Sequence, residues 1–172
     1  MGRVTYDVPL VTQSANPICW VTCMAMVSSE RLGYSLGVGH FASGFDPSNS
    51  SIPNQYNGQW TDYYEKLSSR GFVSVAVNTT ASELENVLKN CGPVILTHQC
   101  AGFPYGPGWG PVATPGAMHA VVITGIDSAI NGGTCWMNNP WGNKDRPLLT
   151  SAVIMAISQL QAINVQPIAY YQ

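Results

Sequence analysis

The chain is predicted to be α+β, helices first and an antiparallel sheet afterwards, on three observations. An apolar run beginning near Cys19 keeps helical spacing to Leu32 and meets Gly33, a natural stop residue. From Phe72 onward, short β-branched and aromatic runs alternate with Gly, Pro and Asn turn signals. No internal repeat divides the 172 residues, which suit one domain, residues 1–172, large enough to bury a core.

Taken in order, Val8-Pro9-Leu10-Val11-Thr12 is an extended lead-in, with Pro9 arguing for an edge or non-ladder position. Asn16-Pro17 reads as a helix cap followed by the first helical residue, since Asn accepts orphan N–H bonds and Pro has the pre-set φ. The helix from about Pro17 to Leu32 is apolar nearly all round, with Trp20, Val21 and Met24 beside Cys19, Cys23, Met26 and Val27. Such a helix lies centrally rather than on a surface. Residues 34–57 form an irregular Gly, Ser, Asn and Pro excursion. A second helix is expected over Trp60 to Arg70, with Trp60, Tyr63, Tyr64 and Leu67 as its stripe.

A strand follows over Phe72 to Val77, then a capping box, Thr80-Ala-Ser-Glu83, opening a helix from Ala81 to Asn90. Gly92-Pro93 ends that helix, and Val94 to Thr97 is a buried strand. Cys100 to Pro115 is a Gly, Pro and aromatic loop that reads as a shaped wall, because its rings need something to pack on. Strands His119 to Ile126 and Thr134 to Asn138 flank a hairpin connection at residues 127–133. Val153 to Leu160 fits helix or strand, and Gln166 to Tyr171 returns as a final strand.

Composition narrows the function. Apolar residues are 45% of the chain and charged residues only 9%, against about 25% in an ordinary soluble domain. A neutral polar surface suits an exported protein or a domain clipped from a larger one. A net charge of -2 offers no basic patch for nucleic acid or an anionic membrane. No stretch has the 18 or so apolar residues of a membrane span. The N-terminus lacks the basic-then-apolar pattern of a signal peptide, so export would use a peptide already removed or another machinery. Five cysteines without a C-x-x-C pair, and three scattered histidines, do not suit a zinc site. Neither metal nor cofactor is expected.

The chemistry concentrates at four positions. Cys19, at a helix start, sits where the macrodipole favours thiolate, and Gln13 lies six residues upstream. Trp20 stands behind the thiol as cleft or support. His119 opens a buried strand after the small approach Gly116-Ala117 and Met118, a supporting residue beside it. It is the candidate general base and acid. With the hairpin bend near residue 130, His119 comes opposite about Trp141. Asn139 then shares its face two residues along, within diagonal reach, to orient the ring. Asn138 points away. Trp141 would cover the pair, and Gln13 would join the Cys19 backbone N–H in holding an oxyanion. His40 and His98 sit in loop-like settings without such a frame, His98 being the rival base. Cys23, Cys91, Cys100 and Cys135 read as core or disulfide residues, with reduced buried thiols favoured.

Gln13, then Cys19-Trp20, then Gly116-x-x-His119-Ala-Val, then Asn139-x-Trp141-Gly142 together resemble the papain-like cysteine protease pattern. Val8-Pro-Leu-Val-Thr-Gln13, Gly92-Pro93-Val94-Ile95 and the compact length look most like its bacterial branch of effector proteases and bacteriocin leader peptidases. The resemblance implies a helical lobe, about 13–90, packed on an antiparallel sheet lobe, about 91–172, with the active site in the cleft between. It implies Cys19 as nucleophile, His119 as base, Asn139 as orienter and Gln13 as oxyanion donor. The chain departs from plant and lysosomal members in lacking a Cys-Gly-Ser-Cys-Trp run, and Pro140 replaces the usual small polar residue.

The expected function is a cysteine endopeptidase working through a thioester acyl-enzyme. It would be a monomer acting on protein or peptide, secreted or delivered by a bacterial system as an effector or toxin, with a cognate inhibitor or immunity protein as a further partner. Two alternatives use the same residues: an amidase or acyl transferase acting on peptidoglycan peptides, and a catalytically silent domain that binds a leader peptide or partner.

Overall fold

The computed structural model describes residues 2–13, 18–42, 52–53, 60–105, 116–129 and 132–172. The elements run β1 (Arg3–Thr5), α1 (Cys19–Leu32), α2 (Val38–Phe41), α3 (Trp60–Ser68), β2 (Phe72–Val75), α4 (Ala81–Cys91) and β3 (Val94–Gln99). Then come β4 (Met118–Asp127), β5 (Thr134–Asn139), β6 (Asn143–Leu149), α5 (Thr150–Gln161) and β7 (Ile168–Tyr171). The expected α+β class is what forms. One antiparallel sheet has the order β2-β7-β3-β4-β5-β6, and β1 pairs with the far end of β4.

Strand alternation divides the core between the two faces of that sheet. Ile95, Ala120, Val122 and Ala169 pack with α1, Tyr63 and Leu67 of α3, and Phe41. Val94, Leu96, Val121, Ile123 and Ile168 pack on the other side with Leu84 and Leu88 of α4 and Val153 and Ile157 of α5. Thus α4, though it ends at Cys91, lies with α5 rather than beside α1. Likewise β1 and β2 join the sheet from the first 90 residues.

Helix α1 is central, as its composition requires: every residue from Cys19 to Ser29 is buried. Hydroxyls within it bond the preceding turn, Thr22 Oγ1 to the Ile18 carbonyl at 2.9 Å and Ser29 Oγ to that of Ala25 at 2.6 Å. Gly33 ends it in the left-handed conformation, φ 73°, its N–H donating to Ser29. The Asn16-Pro17 cap lies outside the described residues. At α4, Thr80 accepts from the Glu83 N–H at 3.2 Å, the expected first half of a capping box.

Three elements were ambiguous or invisible in the sequence. Residues 153–160 are helical within α5, because Val153, Ala156, Ile157 and Leu160 form one buried stripe. Met155, apolar yet 58% exposed, had blurred that period. Strand β6 carries Lys144, Asp145, Arg146 and Pro147, a pattern that suits only a sheet edge, and the edge is where it lies. Strand β1 depends on Gly125. A Cβ at that residue would come within 2.6 Å of the Val4 carbonyl oxygen and 2.9 Å of Thr5 Cγ2. The β4–β5 register also shifts between Ile123 and Gly125.

Gly125→Ala is therefore expected to displace β1 and destabilise the fold by about 1–3 kcal/mol. Chemical denaturation together with hydrogen exchange at residues 3–5 would measure it. An unchanged midpoint with protected residues 3–5 would contradict the account.

Candidate active site

Cys19 is the first residue of α1, where backbone N–H groups have no acceptor within the helix. Burial pushes its thiol up to about 12, while the backbone amides of Ala120 and Trp20, which bond the sulfur, pull the other way. The Ala120 amide follows His119 directly in β4, so the head of α1 meets β4 at the candidate base. Trp20 is fully buried, edge-on to Tyr63 at 5.5 Å. It supports the helix from behind and does not face a cleft. Met118 is half-buried against the α1 side of the core.

His119 has the same strand parity as Val121 and Ile123. The ladder pairs Val122 with Asn138, and β5 ends one residue later at Asn139. Asn139 accordingly falls within reach, and its Oδ1 lies 2.9 Å from His119 Nε2. The same oxygen accepts the Trp141 backbone N–H at 3.1 Å. Because a backbone N–H can only donate, Oδ1 is the acceptor, and the His119 proton in that bond sits on Nε2. The Nδ1 lone pair is left to take a proton. Asn138 points away, donating to the Val8 carbonyl at 2.9 Å and accepting from the Asp145 N–H at 2.8 Å.

The carboxamide is set by a turn. Gly142 N–H donates to the Asn139 carbonyl at 2.9 Å, enclosing Pro140 and Trp141, and Gly142 has φ 101°. Proline supplies a favoured φ for the second position of such a turn. The Pro140 carbonyl then accepts the Gln13 N–H at 2.8 Å. The half-buried Gln13 is thereby fixed beside the turn that orients His119. Trp141 stands edge-on to His119, centroids 6.3 Å apart, and is 41% exposed.

Burial pushes the His119 imidazole down to about 4, opposed by the bond to Asn139. Neither charge is favoured alone at this place: thiolate and imidazolium are each disfavoured by desolvation. At neutral pH both groups are accordingly uncharged, a thiol and a neutral imidazole.

His98 departs from expectation. It lies in β3, not in a loop, directly across from His119 and fully buried. Its ring is 5.9 Å from that of His119. Its Nε2 is hydrogen-bonded to the Tyr105 hydroxyl, and Phe103 covers it at 3.8 Å. No hairpin count could place it, because a long loop separates β3 from β4; its part at 106–115 is outside the described residues. His40 is exposed on α2. All five cysteines are free thiols. Among the described residues no group of three His, Cys, Asp or Glu could hold a metal ion, and no helix is long and apolar enough to cross a membrane.

Residues 5–156 match the Peptidase_C39-like family. The chain belongs to that family. Among solved structures, this C39-like chain resembles a Bacillus anthracis protein assigned as a C39-like peptidase, with TM-score 0.66 and 17% identity, covering 100% of this chain and 98% of that one. It also resembles a mite allergen from a structural comparison of Blo t 1 and Der p 1, with TM-score 0.58 and 11% identity, covering 100% and 71%. At such identities the likeness is one of fold, and the fold is papain-like. No curated protein sequence matches this C39-like chain.

The buried imidazoles make stability depend on pH. An unfolded histidine titrates near 6.5 and folded His119 near 4, with His98 shifted in the same direction. Between those values the unfolded chain binds more protons, so stability falls as pH drops from about 6.5 through 4. Melting temperature should decline across that window, and His119→Gln should flatten the decline. Glu85, held near 2 by Lys89 and Ser128, adds a further loss of stability as pH falls from 4.5 toward 2. A flat wild-type profile from pH 7 to 4.5 would contradict the burial described.

Proposed function

We propose that this chain is a cysteine peptidase that hydrolyses peptide bonds through Cys19, His119, Asn139 and Gln13. The observation that carries the reading is the Asn139 oxygen held between Trp141 N–H and His119 Nε2, which leaves Nδ1 as the basic nitrogen.

In the first half-reaction the Cys19 proton passes to His119 Nδ1, and the sulfur attacks the scissile carbonyl carbon. The carbonyl oxygen takes up the negative charge and is held by the Cys19 backbone N–H and the Gln13 side-chain amide. As the tetrahedral species collapses, the C–N bond breaks and the imidazolium returns its proton to the leaving amine. A thioester remains. Water then gives a proton to His119 and attacks the thioester, the C–S bond breaks, and the thiol recovers its proton. Asn139 keeps the imidazole in one tautomer throughout, and Trp141 shields that bond from water.

The substrate class is protein or peptide. Sparse charge and the likeness of residues 8–13 and 92–95 to the bacterial branch support a bacterial protein secreted or delivered as an effector or toxin, whose producer would hold an inhibitor or immunity protein.

Hydrolysis of denatured casein and of a peptide library tests the chemistry. Cys19→Ala and His119→Ala should each lower kcat/KM by roughly 10³-fold or more, and Gln13→Ala by roughly 10²-fold. Asn139→Ala should be milder. Cleavage of purified sacculi with casein and peptides left intact would replace the peptidase reading by the amidase one.

A further inference from the structure

Asn139 holds His119 at one atom, and one hydrogen bond leaves a planar ring free to swing about that contact. Rotation is limited by the rings around it. Trp141 stands at 6.3 Å and 86°, Tyr105 at 6.1 Å and 64°, and His98 at 5.9 Å and 82°. Trp141 is fixed by the turn that also fixes Asn139. Tyr105 arrives differently, from the turn after β3, in which Gly102 has φ 81° and Pro104 precedes the tyrosine.

We propose that His98 and Tyr105 are positioning residues for His119, their mutual hydrogen bond pinning the aromatic turn at 100–105 as the wall that keeps the imidazole in the orientation its bond to Asn139 allows. This rests on the peptidase reading above.

Three features of His98 suit that role. It is buried and directly opposite His119, so β3 and β4 set the distance between the two rings without loop contributions. Its Nδ1 lies 3.5 Å from the Leu96 carbonyl, which places the ring proton there and leaves Nε2 to accept from the Tyr105 hydroxyl. Phe103, packed on His98 at 3.8 Å and on Tyr105 at 4.9 Å, closes the cluster against the α5 side of the core.

Neutrality matters as much as shape. Desolvation and the neighbouring His119 both hold the His98 pKa well below its ordinary value. A cation in its place would oppose imidazolium at His119 and so oppose the ion pair that attack requires. The neighbouring titratable groups, Cys19 and Cys100, are likewise neutral thiols at neutral pH, pushed up to about 12 and about 11 by burial. The Tyr105 phenol is also raised. The cluster gives shape and hydrogen bonds to the base while adding no charge of its own.

The test is the second-order rate of Cys19 alkylation by iodoacetamide from pH 5 to 10, mapped by mass spectrometry. The variants are Tyr105→Phe, His98→Leu and His98→Gln, with His119→Ala as reference. Tyr105→Phe keeps the ring and loses only the hydroxyl. It and His98→Leu should slow labelling at pH 6 by about tenfold and move the acid limb toward that of His119→Ala. Toward pH 10, where hydroxide increasingly competes with His119 for the thiol proton, their rates should converge on wild type. His98→Gln, whose amide oxygen can still accept from the phenol, should recover most of the pH 6 rate.

A Tyr105→Phe profile superimposable on wild type, with His119→Ala displaced, would overturn the positioning role and leave the peptidase reading intact. Equal losses at pH 6 and pH 10 in both Tyr105→Phe and His98→Leu would overturn it too, since access or folding would then be responsible. If His119→Ala itself labels like wild type at pH 6, the peptidase reading fails and takes this one with it.

Discussion

One side-chain oxygen governs the geometry of the candidate site. Asn139 Oδ1 accepts from Trp141 N–H and from His119 Nε2 at the same time. The first bond belongs to a proline-containing turn and fixes the oxygen in space; the second passes that position to the imidazole. A glutamine would place its oxygen one methylene further out, and an aspartate would add a charge that the buried ring would have to answer. A neutral, short acceptor on a rigid turn satisfies both demands.

The sheet does the remaining placement. Its central strand β4 is covered on both faces, by α1 on one and by α4 and α5 on the other. Ala120 thereby turns to α1 while His119, one residue earlier, turns to Asn139 and His98. This alternation lets one strand serve two sides. Burial on this scale also makes isolated charge costly, which raises the Cys19 thiol and lowers the His119 imidazole away from their ordinary values.

The sequence made much of this legible because the informative features are local. A thiol at an apolar helix start, a six-residue step from Gln13, and a hairpin whose bend could be counted from both sides all follow from spacing. The β4–β5 pairing carried enough information to place Asn139 near His119 before any coordinates. What stayed hidden depends on long-range approach. His98 meets its neighbour across a connection too long to count, Gly125 is needed only because β1 returns from the chain start, and β6 looks like a loop until it is seen at a sheet edge. The cap expected at Asn16-Pro17 falls outside the described residues, and α1 as described begins after Ile18 without a side-chain cap.

The bond from Gln13 N–H to the Pro140 carbonyl has a mechanical corollary. It fastens Gln13, ahead of α1 in the chain, to the turn that carries Asn139. Displacement of either piece is inherited by the other, so Gln13 and His119 drift out of alignment jointly or stay aligned jointly. Gln13 and Pro140, 127 residues apart in the sequence, thus behave as one joint.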